Sequence, residues 1–229
     1  MAPAATAATV RVSETKADLE AMAVKLNPIV GFYDPMGLAD ASFWGESNEA
    51  TIGFLRHAEI KHSRVAMAAF VGYCLSANGI QFPIHIPGSY SGSPAQIWDQ
   101  MPELGKWQIV LFVGFLEFFS ESGASGAHYM RGGQPGKFPS FKEAEGTAMG
   151  IPHPVPLDLF DPFGFSKGKS AEAKERGLLV EVNNGRLAML GIMAFLSASK
   201  VPGSVPALSF IQPYDGDYMA PFQANFHLF

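Results

Sequence analysis

Two stretches of the 229-residue chain repeat the same arrangement of Lewis bases and charge. Glu59-Ile-Lys-His-Ser-Arg-Val-Ala-Met67 aligns with Glu181-Val-Asn-Asn-Gly-Arg-Leu-Ala-Met189, a pattern of Glu, three residues on His or Asn, then Arg, then an apolar run. On a helix, Glu59 and His62 are i,i+3 neighbours on one face, as are Glu181 and Asn184. A bare Mg²⁺ held by protein alone asks for more oxygens and retained waters than these pairs provide. A metal already carried by a macrocycle needs only one axial ligand, and single bases spread along helices suit that requirement.

The arginines have a different role. Glu59 and Arg64 are five residues apart, a rotation of about 140° along a helix, so they point to different sides. Each charge wants a partner on another helix. If the copies are related by a two-fold axis, Glu59 meets Arg186 and Glu181 meets Arg64. The pairing would let a carboxylate stay ionised in an apolar setting while one oxygen remains free to coordinate. A second shared element lies upstream of each copy, Phe32-Tyr-Asp34-Pro35-Met-Gly37 and Phe160-Asp161-Pro162-Phe-Gly164. Two elements in the same order mark an internal duplication.

Three helices must position these residues: about 51–78, about 105–122 and about 171–199. The middle one returns the chain, so both copies start on the same side of a membrane. Ala68 and Gly72, like Ala194 and Ala198, are small-xxx-small pairs that permit close helix crossing. Leu19, Met22, Ala23 and Leu26 have the spacing of a short amphipathic surface helix. The Gly/Pro-rich connections Phe82–Pro102 and Gly123–Gly168 contain too many breakers for strands. None of the three long helices has 18 consecutive apolar residues, so hydropathy alone also allows a soluble bundle. Charges repeated inside otherwise apolar helices favour the membrane.

Composition agrees with that choice. Hydrophobic residues make up 48% of the chain and charged ones 16%, and the mean hydropathy is +0.11. The net charge of −5, without a basic run, argues against nucleic acid. The single cysteine, Cys74, rules out an internal disulfide and reads as a small apolar residue. Met1 to Val10 lacks signal-peptide and Arg-rich transit character, so any organelle-targeting segment is expected to have been removed or to lie outside this sequence.

The doubled motif resembles the first and third membrane helices of the light-harvesting chlorophyll-binding family, over about residues 28 to 200. The resemblance implies an all-α membrane protein of three transmembrane helices in one domain, 1–229. The first and third helices would cross about a pseudo-two-fold, with short amphipathic helices at the surface. It makes Glu59, His62, Glu181 and Asn184 axial ligands of chlorophyll magnesium, with Arg64 and Arg186 as the cross-paired cations. In the middle helix, Gln108 and Glu117 match the family's ligand positions, while Glu121 reads as interfacial. His128 and His227 are candidates for peripheral chlorophylls; His57, His85 and His153 read as surface or loop residues. Asp34, Pro35, Asp161 and Pro162 resemble carotenoid-contacting loops.

The segment from His128 to Pro139 resembles the loop of the chlorophyll a/c branch, found in algae with fucoxanthin or peridinin. That branch implies chlorophyll a, chlorophyll c and fucoxanthin-, peridinin- or diadinoxanthin-like carotenoids. It further implies a plastid thylakoid location among membrane lipids, other antenna subunits and a photosystem I or II core. One departure stands out: where the family commonly has a ligating Gln, about twelve residues after the third-helix Arg, this chain has Ala198.

A photoprotective relative would share every ligand. A hydrolase using Glu and His would need an orienting group and a pocket, and no nucleophile, zinc or phosphate-loop motif is present. A transporter would need a path that reciprocally paired charges leave little room for.

Overall fold

The computed structural model describes residues 14–80, 90–122, 127–138, 161, 164–166 and 168–222. His85, His153, Pro162 and His227 lie outside the described residues. Among those described, the chain is all-α with no strand, built on α1 (Lys16–Leu26), α2 (Asn48–Ala77), α3 (Pro94–Gln100), α4 (Glu103–Glu121) and α5 (Ala171–Lys200). The three long helices begin and end within three residues of the sequence expectation.

Local chemistry sets their ends. Thr15 and Asp18 form a capping box that starts α1. Its covered apolar residues are Leu19, Met22, Ala23 and Leu26, the face that the spacing marked. Ser47 caps α2, its Oγ accepting from Ala50 N at 3.2 Å. At the other end of α2, Ile80 N donates to Leu75 O at 3.0 Å while Gly79 takes φ +70°. That is a Schellman stop, which requires a left-handed residue and so favours glycine. Helix α3 was not expected within a breaker-rich connection. Ser93 and Gln96 form a capping box with Pro94 in the first turn, so here Pro opens a helix instead of interrupting one.

The chain clusters into two compact units, Met1–Lys61 with Phe119–Leu179, and His62–Phe118 with Val180–Phe229. In the first, Ile52 (0% exposed) and Phe119 (2%) are buried, and residues 127–138 lie directly on α2. A Cβ on Gly53 would come within 2.4 Å of Tyr129 O, and one on Gly136 within 2.7 Å of Ile60 Cγ2. In the second unit, α2 and α5 pack face to face. Phe195 stacks between Phe70 and Tyr73, with ring centroids 5.1 and 4.8 Å apart.

Ala68 and Gly72 are exposed and make none of this contact, contrary to expectation. The close approach falls instead at Gly185, where a Cβ would lie 2.3 Å from Ser63 Cβ. The small-residue pattern was therefore read one face too far round α2.

Among the described helices, α5 is the one long and apolar enough by length and composition to cross a membrane, at mean hydropathy 1.2. Helix α4 carries Glu103, Lys106, Glu117 and Glu121 within 19 residues. Helix α2 carries Arg56, Glu59, Lys61 and Arg64 in mid-course.

Candidate pigment site

The second copy of the motif is the more completely drawn. Arg64 Nε donates to Glu181 Oε1 at 2.6 Å, joining α2 to α5. Among the described residues, Glu181 Oε2 takes no hydrogen bond. One helical turn on, Asn184 donates its side-chain amide to Val180 O at 2.8 Å. That bond fixes the amide's orientation, and Asn184 Oδ1 accepts nothing from the described residues. Two oxygen lone-pair donors thus stand on one face of α5, and Asn184 is exposed.

In the first copy, Glu59 accepts from Arg56 Nη1, three residues earlier on the same helix, and Arg56 Nε also donates to Glu14 at 2.8 Å. Sequence reasoning missed Arg56, which is 7% exposed. Its i,i+3 spacing to Glu59 was the available signal. His62 lies on the exposed side of α2 and Arg186 on the exposed side of α5. Gln108 and Glu117 are exposed on α4, amid Leu111 (67% exposed) and Phe112 (59%). Gln108 has no hydrogen-bond partner among the described residues.

The two aspartates accept the same pattern of backbone hydrogen bonds from the residues three, four and five positions on. In the first, Gly37 N donates to Asp34 O at 3.3 Å, Leu38 N to Oδ1 at 3.0 Å and Ala39 N to Oδ2 at 2.8 Å. In the second, Gly164 N donates to Asp161 O at 3.0 Å, Phe165 N to Oδ1 at 2.6 Å and Ser166 N to Oδ2 at 2.8 Å. Both glycines have positive φ, +65° and +73°. The Ala39 amide above all, then those of Leu38 and Gly37, holds the Asp34 carboxyl below its ordinary range.

A model of the "Chlorophyll A-B binding protein" family matches residues 18–200, which contain both turns and both copies of the motif. The chain belongs to that family. Members are light-harvesting chlorophyll-binding antenna proteins, and this chain is one of them. It is 32% identical over 188 residues to the fucoxanthin-chlorophyll a-c binding protein of Trieres chinensis, covering 78% of each chain. It is 32% identical over 182 residues to protein F of that name from Phaeodactylum tricornutum, covering 76% of each. With protein A from Macrocystis pyrifera it shares 31% over 179 residues, 73% of this chain and 66% of the relative. The relatives are described as chloroplastic.

Against that family background, three positions are informative. His57 was expected at the surface but is buried in α2. Its Nδ1 accepts from Gly136 N at 3.0 Å and its ring stacks on Tyr129 at 3.9 Å, so it anchors the 127–138 loop. His128 Nε2 lies 2.9 Å from Glu121 Oε2 and its Nδ1 accepts from Met130 N at 3.3 Å. Ligation by His128 would require breaking one of these bonds. Glu121 also faces Lys61 at 3.4 Å and Tyr129 at 3.0 Å, which makes it the hub of a polar cluster.

At the site of the missing glutamine, Ala198 is 5% exposed. Next to it, Ser199 Oγ is shared with Tyr218 Oη at 2.7 Å and donates to Leu196 O at 2.9 Å. Ser199 O accepts from Tyr214 N at 2.8 Å. The position is occupied by an anchor for the C-terminal segment.

Proposed function

We propose that the chain spans a plastid thylakoid membrane three times, through α2, α4 and α5. In this reading Glu59, His62, Gln108, Glu117, Glu181 and Asn184 each hold the magnesium of one chlorophyll. The observation that carries it is the Arg64–Glu181 pair. Arg64 neutralises the carboxylate from the neighbouring helix, leaving Oε2 available on an exposed, apolar helix face. Asn184 repeats the arrangement with an uncharged oxygen one turn away.

The apolar surface supports the same reading. Leu111, Phe112, Leu187 and Leu190 are each more than half exposed. In water such a surface would drive association; in a bilayer it is the ordinary lipid- and pigment-facing surface. With its lengthwise charges facing pigments and partner helices, a helix such as α4 can span despite its weak hydropathy.

The names of the relatives favour chlorophyll a, chlorophyll c and fucoxanthin-type carotenoids as the pigments. In this reading the turns at Asp34–Pro35 and Asp161–Pro162 are carotenoid contacts. The bound pigments would supply absorption and excited-state transfer. The chain's own work is to fix ligand positions, compensate their charge and exclude water, and it would catalyse no bond change. Excitation would pass to other antenna subunits and a photosystem core. Pigment analysis of His62→Leu tests this: the reading expects one chlorophyll fewer on an intact fold, and an unchanged pigment count would remove His62 from the ligand set.

A further inference from the structure

A cavity of about 220 Å³ lies between α3 and the C-terminal segment. Three aromatic residues, Trp98, Tyr214 and Tyr218, and two acidic ones, Asp99 and Asp217, are among its lining. The rings are held in advance. Trp98 Nε1 donates to Pro221 O at 2.8 Å, the two tyrosine rings pack 4.7 Å apart at 51°, and Tyr218 is tied to Ser199. Aromatic faces beside negative charge attract cations. The Trp98 ring already has one such neighbour: Lys106 Nζ lies 5.7 Å from its centroid and is neutralised by Glu103 at 2.7 Å.

The carboxylates narrow the choice of cation. Both Asp99 oxygens accept from Tyr214 Oη, at 3.2 and 3.0 Å, and Asp217 Oδ1 accepts from Met219 N at 2.8 Å. They supply charge more readily than open acceptor sites. A primary ammonium wants three acceptors and a metal ion wants a cluster of ligands, and no such cluster exists among the described residues. A quaternary ammonium wants neither, only apolar faces and a negative field. The cavity also has room for a compact organic cation.

We propose that this cavity binds a trimethylammonium group. The group could be free or carried by a lipid headgroup, since the cavity sits at the C-terminal end of α5, the helix most suited to crossing a membrane. The inference does not depend on which residues hold pigments.

Calorimetric titration of the pigment-bearing protein in maltoside with tetramethylammonium chloride tests it. Saturable binding at one site is expected, with sodium chloride giving none and n-butylammonium binding more weakly. Trp98→Leu should weaken binding at least about fivefold, while Trp98→Phe retains most of it. Asp217→Asn, at an exposed position, should weaken it by about two- to threefold and guards against a Trp98→Leu variant that fails to fold. Nanodiscs distinguish the sources. Trp98-dependent retention of phosphatidylcholine over phosphatidylglycerol assigns a lipid headgroup, and tetramethylammonium binding without that preference assigns a free cation. Non-saturable binding, tighter n-butylammonium binding, or full affinity in both Trp98→Leu and Asp217→Asn would overturn the proposal.

Discussion

The two copies of the Glu-x-x-His/Asn-x-Arg motif are alike in sequence and differ three residues before the glutamate, where α2 has Arg56 and α5 has Leu178. In α2, Glu59 has a cation on its own helix, Arg56, which is itself braced by Glu14. In α5, the one side chain among the described residues that meets the Glu181 carboxylate is Arg64, supplied by α2. The first copy therefore adds a same-helix cation that the second, with Leu178 at the matching position, does not have, and the second copy's carboxylate is met by a cation from α2. An ion pair between helices stabilises their packing as well as the carboxylate.

That difference should be largest in Arg64→Leu. The change strands Glu181 in an apolar setting and should cost about 3–5 kcal/mol, seen as a collapse in the yield and melting temperature of the pigmented protein. Adding Glu181→Leu should recover much of the folding but not the pigment. If Arg64→Leu alone melted like the parent, the structural role of the Arg64–Glu181 pair would be wrong.

Next in size is the close contact of the two helices. Gly185→Ala puts a methyl against Ser63 and should destabilise by about 1–3 kcal/mol in thermal melts. Ser63→Gly should relieve it in the double variant. Ser63→Ala alone should be neutral or slightly stabilising, because the buried Ser63 Oγ has no hydrogen-bond partner among the described residues. The two polar residues proposed as ligands sharpen the comparison further: His62→Leu and Asn184→Leu should each lose one chlorophyll with little change in melting temperature.

The smallest effect concerns pH. Burial, then the hydrogen bond to Asp99, pushes Tyr214 up to about 12 from its ordinary 10.0. A raised value means the neutral phenol is favoured in the fold. Its stabilisation is complete below about pH 10 and is lost as pH rises through about 12. Melting temperature should fall over that window, and Tyr214→Phe should flatten the fall.

The long helices were legible because each contains an extended apolar stretch. The shared face of Glu181 and Asn184 was legible because i,i+3 spacing survives translation into structure directly. What was not legible depended on contacts distant in sequence. Nothing local marks His57 as buried, since its burial comes from Gly136, 79 residues on. The choice of Gly185 over Gly72 as the crossing point depends on helix rotation, which small-residue patterns leave open. Helix α3 was the exception: its Ser-Pro-x-Gln start was present in the sequence and was masked by the surrounding glycines and prolines.

The central claim is that Glu181 and Asn184 are pigment ligands made possible by Arg64. A density map of the purified pigmented protein tests it most directly. The account predicts a chlorophyll magnesium about 2.1 Å from Glu181 Oε2 and another at that distance from Asn184 Oδ1, with Arg64 still on Oε1. Chlorophyll density with no magnesium within coordination distance of either oxygen would contradict it.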